Sequence, residues 1–138
     1  MFEKLQNMLF GKQSIVKVDN EPTGGQPIAA VDSKTLERII HREFGDRASG
    51  VVAKLQGVNS DSLAGKNRIS AAIIKLANKD ISAIDTLIEI SNSDFRDVLM
   101  RAEYPRCLEL NFARTKENER QQIYLADWND YSNWLNEL

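Results

Sequence analysis

This chain has little from which to build a reactive centre. Its 138 residues include one histidine, His41, and one cysteine, Cys107. No internal disulfide can form, and no zinc site can be assembled without carboxylates. No apolar run of ~18 residues and no basic, apolar leader are present, so a cytoplasmic protein without a membrane span is expected. The net charge of −2 is too small to argue for a nucleic-acid or membrane partner. No cofactor is expected.

What is present is helical punctuation. Ile73 to Ile81 aligns with Leu87 to Phe95, matching at Ile74/Ile88, Asn78/Asn92 and Asp80/Asp94. Asn tolerates the left-handed conformation that ends a helix, and Asp two residues later can accept orphan N–H bonds at the start of the next. Two such junctions predict three short, tightly connected helices.

Other stripes extend the pattern. Phe2, Leu5, Met8 and Leu9 lie on one face of a short N-terminal amphipathic helix, residues 1–11. Residues 12–32, with Glu21-Pro22-Thr23-Gly24-Gly25, are linker chemistry. A helical domain follows over 33–138. Asp32 or Ser33 caps a helix carrying Leu36, Ile39, Ile40 and Phe44, closed by Gly45. Val51, Val52 and Leu55 mark the next helix; Ile69, Ala72, Ile73 and Leu76 mark a third; Ile81, Ile84, Leu87 and Ile88 a fourth; Phe95, Val98, Leu99 and Ala102 a fifth, ended by Pro105. The alternation Leu108, Leu110, Phe112 is ambiguous. Thr115 caps a long last helix with a solvated start and a packed end built from Tyr124, Trp128, Tyr131, Leu135 and Leu138. The expected fold is all-α, a single-domain antiparallel bundle of six or seven helices.

Candidate chemistry is thin. His41 lies off its helix's apolar stripe, one turn after Glu37, in position for a solvent-facing pair. Cys107 has no neighbouring base. The stretch from Gly57 to Asn67 fails as a phosphate loop, because seven residues separate Gly57 from Gly65 and Asn67 stands where Ser or Thr would bind magnesium. Asp94 and Asp97 could form an acid/base pair, though capping and surface salt bridges explain them. Lys54, Lys66, Arg68 and Lys75 could support a helix-turn-helix-like DNA-binding regulator.

Charge is distributed unevenly. From Lys34 to Asn78 there are eight Lys/Arg against four Asp/Glu, and from Lys79 to Leu138 seven against twelve. The acidic half ends in a helix rich in Tyr and Trp, the residue types that dominate interface hot spots. A partner-binding face is therefore expected at Trp134, Trp128, Asp127 and Asp130, with Arg96 and Asp97 from the neighbouring helix.

The segments Gly-Lys-Asn-Arg-Ile-Ser-Ala-Ala-Ile-Ile-Lys-Leu-Ala and Asp-Phe-Arg-Asp-Val-Leu-Met-Arg-Ala-Glu-Tyr-Pro-Arg, between Gly65 and Arg106, resemble those of short stand-alone bacterial all-α proteins of unknown function. The resemblance implies a bacterial, cytoplasmic, helical protein. Small acidic helical chains also occur among immunity partners of bacterial toxins. The expected function is a non-catalytic protein-binding helical module of the toxin-neutralising, immunity type. Its partner would be a protein such as a toxin domain, or a second copy. The alternatives are the DNA-binding regulator and an enzyme using Asp94/Asp97.

Overall fold

The computed structural model describes residues 27–111 and 113–138, of which 74% are helical and none forms a strand. The chain is all-α. Five helices have nine or more residues: α1 (Ser33–Phe44), α3 (Leu63–Ala77), α4 (Ser82–Ser93), α5 (Phe95–Glu103) and α6 (Glu117–Asn136); α2 (Ala48–Leu55) is shorter. The expected six or seven helices reduce to these five and one two-turn piece, with 3-10 turns at Gly45–Arg47 and Cys107–Glu109. The expected helix over 1–11 and most of the linker lie outside the described residues.

Local chemistry sets the boundaries. Asp32 accepts from the Thr35 N–H at 2.7 Å and opens α1, while Gly45 closes it at φ 53°, where a Cβ would be strained. Ser62 accepts from the Gly65 N–H at 3.0 Å and opens α3. Asp94 accepts from the Arg96 N–H at 3.1 Å and opens α5. α6 departs from expectation: Lys116 occupies its N-cap without a side-chain bond, and Thr115 instead donates to the Asn111 carbonyl.

The Asp half of the repeated junction repeats in the structure, since Asp80 accepts from the Ser82 N–H at 3.0 Å as Asp94 does from that of Arg96, but the Asn half does not. Asn78 ends α3 in the left-handed region at φ 50°, as its residue type allows. Asn92 stays inside α4 and has no positive φ. Its side chain reaches back to the α2–α3 loop, accepting from the Asn59 N–H at 2.9 Å and donating to the Gly57 carbonyl at 2.9 Å. The first Asn turns the chain; the second anchors a loop.

α3 is the central helix, packed against α1, α4 and α5. Ile69, Ala71, Ala72, Ile73, Ile74 and Ala77 are all buried, so it has no solvated face of any width. α6 lies against α1, α5 and the Cys107–Glu109 turn, burying Trp128, Tyr131 and Leu135. The end of the expected linker belongs to the core: Ala29 and Val31 are buried, and Tyr104 donates its hydroxyl to the Pro27 carbonyl.

Some apolar stripe positions face out. Val52, Phe95, Leu108 and Leu138 are exposed. Val52 is 100° around the helix from Val51, and the burial of Val51 and Leu55 turns it to solvent. Phe95 is in the first turn of α5, ahead of the Val98/Leu99/Ala102 contact. Leu138 lies past the end of α6. Leu108 falls in a 3-10 turn, and Phe112 is outside the described residues.

Candidate functional site

One surface lies at the end of α6 and another between α1, α2 and α3.

The end of α6 has acidic and aromatic residues but no basic residue in its last turn, leaving its terminal carbonyls without a local cation. α1 supplies two. Arg38 Nη2 donates to the Leu135 carbonyl at 2.5 Å, and Arg42 Nη1 donates to the carbonyls of Trp134 and Glu137, each at 2.8 Å. The Arg42 guanidinium also lies 5.0 Å from the Trp134 ring centroid. Trp134 stacks on Tyr131 at 5.7 Å, with 22° between the rings. Its indole is therefore held in place yet only part-buried.

The other expected face residues divide. Trp128 and Asp127 are each 1% exposed and are unavailable to a partner. Asp127 accepts from Arg106 Nη1 at 2.8 Å, from the Cys107 N–H at 3.2 Å and from the Cys107 thiol at 3.3 Å. It caps the 3-10 turn, because a buried carboxylate must find donors. Asp130 stays accessible, its side chain 59% exposed, and pairs with Arg106 at 2.6 Å. Hydrogen bonds donated by the Arg106 guanidinium to Asp130 and then Asp127 push its pKa up. Asp97 pairs with Arg101 at 3.0 Å, and Arg96 lies 5.9 Å from the Phe95 ring. These two bond within α5.

One polar element was not legible in the sequence. Glu103, 2% exposed, takes both nitrogens of an Arg68 fork at 2.9 and 2.6 Å. Burial opposes the Arg68 charge, but the hydrogen bond and attraction from Glu103 outweigh it and raise the pKa. Lys75 lies 5.4 Å over the Tyr131 ring and donates to the Ala102 carbonyl at 3.4 Å. Burial lowers its pKa against the opposing pull of Asp130 and Asp127.

These contacts bear on both alternative functions. A groove-reading α3 would need a free face, but eight of its fifteen residues are buried. Of the basic residues proposed to read DNA, Lys54 pairs with Asp85 at 2.8 Å and Arg68 with Glu103, while Lys66 and Lys75 donate to the backbone carbonyls of Gln56 and Ala102 at 3.3 and 3.4 Å. Asp94 is an exposed cap and Asp97 a surface ion-pair partner. Neither lines the cleft between α1, α2 and α3 or the one bordered by Asn59, Arg68, Phe95 and Leu99.

The second surface is a cleft of about 320 Å³ between α1, α2 and α3. Leu36, Ile40 and Leu55 form its walls, and the exposed Val52 and Leu63 border it. Asn67 and Ser70, 6% and 1% exposed, contribute polar groups from α3. Lys66, Glu37 and His41 also line it. Asn67 Nδ2 donates to the Ser33 hydroxyl at 3.3 Å. Sequence spacing separated His41 and Glu37 from the apolar stripe but gave no sign that they share a concavity with Lys66. Among the described residues, no group of three or more His, Cys, Asp or Glu could hold a metal ion. No helix of the described residues is long and apolar enough to cross a membrane.

Comparison of the chain with family models, curated proteins and solved structures yields no match.

Proposed function

We propose that the chain is a non-catalytic protein-binding helical module that engages its partner through the Trp134 end of α6, in the manner of a toxin-neutralising protein. The observation that carries this reading is the fixation of a part-exposed indole between Tyr131 and Arg42. An aromatic side chain already ordered in the free protein loses little conformational entropy on binding. Large amphipathic rings of this kind are the usual energetic centres of interfaces. Asp130 adds an accessible carboxylate on the same helix, favouring a partner surface with Lys or Arg opposite it.

The buried ionisable groups support the absence of catalysis in this reading. Glu103 and Asp127 are engaged with Arg68 and Arg106, as a fold-stabilising role requires.

The test is affinity capture from the native host with wild type and a Trp134→Ala/Asp130→Ala variant, both verified as folded by circular dichroism. A specific protein recovered by wild type and depleted at least tenfold by the variant supports the reading. Equal recovery removes this face from it.

A further inference from the structure

The cleft between α1, α2 and α3 differs from a simple gap in the core. Its walls are aliphatic, yet Asn67 and Ser70 line it while almost fully buried. Few polar groups set into an apolar concavity are the usual composition of a small-ligand site, and about 320 Å³ is at the small end of such sites.

The charges select the head group. Lys66 is half-buried beside this apolar surface, and its described bond is to a backbone carbonyl, that of Gln56. It forms no ion pair with a carboxylate among the described residues. An ammonium partly withdrawn from water and lacking a counter-charge favours an anion. Glu37 also lines the cleft, from α1, and its carboxylate disfavours a second negative charge on the ligand. His41, one turn along α1 from Glu37, adds a polar contact.

We infer that this cleft binds a small amphipathic monoanion, a medium-chain monocarboxylate, with its alkyl body against Leu36, Ile40 and Leu55 and its carboxylate at Lys66. This site lies apart from the Trp134 face and does not depend on the protein-binding reading.

Isothermal titration of the full chain with hexanoate, octanoate, octylamine and octyl phosphate tests the assignment. Octanoate binds with one-to-one stoichiometry, three- to fourfold tighter for each methylene added from hexanoate, as burial of CH₂ groups requires. Octylamine and octyl phosphate bind at least tenfold more weakly. Lys66→Gln weakens octanoate about tenfold. Leu63→Glu, at a 67% exposed position where the fold tolerates change, weakens octanoate and strengthens octylamine. No octanoate binding up to millimolar concentration, equal affinity for octanoate and octylamine, or an unchanged affinity in Lys66→Gln overturns the assignment.

Discussion

Arg42 and Trp134, 92 residues apart, are joined twice: the guanidinium donates to the Trp134 carbonyl at 2.8 Å and lies 5.0 Å from its indole centroid. One side chain of α1 thus caps the end of α6 and stacks on its last aromatic residue. This contact fixes the proposed binding face to the rest of the fold.

Replacing Arg42 with Met keeps much of the aliphatic stem and removes the charge. The loss combines carbonyl capping with a cation–π contact, so the variant is expected to lose about 2 kcal/mol of stability. Chemical denaturation measures this. Tryptophan emission should also shift to the red, because Trp134 loses its cover.

The Arg68–Glu103 pair makes a different prediction. Glu103→Leu leaves a partly buried guanidinium without its carboxylate and should cost about 3 to 5 kcal/mol. Arg68→Met combined with Glu103→Leu should cost far less than the single change, since the uncompensated charge is gone. A double-mutant cycle in urea separates these outcomes. Equal cost would mean that the pair's net attraction, rather than desolvation, sets its energy.

Tyr131 links burial to pH. Its hydroxyl is buried with no hydrogen-bond partner among the described residues, and burial pushes its pKa well above the usual tyrosine value. Tyr104 is raised in the same direction, chiefly by burial. A raised folded-state pKa means that the folded form keeps its proton after the unfolded form has lost it. Stability is therefore complete below the unfolded tyrosine pKa, about 10, and falls as pH rises beyond it. Tyr131→Phe should leave stability at pH 7 unchanged or raise it by about 1 kcal/mol, and should move the alkaline unfolding midpoint upward. Thermal melts across pH 7 to 11 follow both effects.

The two Asn residues of the repeated junction should respond oppositely to glycine. Asn78→Gly suits a left-handed position and should be close to neutral, whereas Asn78→Ala should cost about 1 kcal/mol. Asn92→Gly is in helix α4 and also loses the bonds to Asn59 and Gly57, so it should cost about 2 kcal/mol. Melting temperatures of the three variants decide this.

The contrast between these residues shows what the sequence made legible. The side-chain bonds of Asp32, Asp80 and Asp94 act over two or three residues, so residue type and spacing reveal them. The all-α class followed from the same local signals. Asn92 has the same local pattern as Asn78, but a distant loop decides its role. Arg42–Trp134 and Arg68–Glu103 span 92 and 35 residues, and no helical period encodes such pairings. Trp128 and Asp127 were expected at the binding face because composition identifies sticky residues, not their orientation. With α6 docked, Trp128 is in the core and Asp127 faces the amides at the start of the 3-10 turn. Trp134 and Asp130, flanking that buried stripe, were left accessible.

The most direct test of the α6 binding face uses the captured partner in purified form, titrated against wild type, Trp134→Ala and Asp130→Lys. Loss of at least tenfold in affinity for each variant, with helical content preserved, is the predicted result. Binding curves that superimpose on wild type for both variants would contradict it.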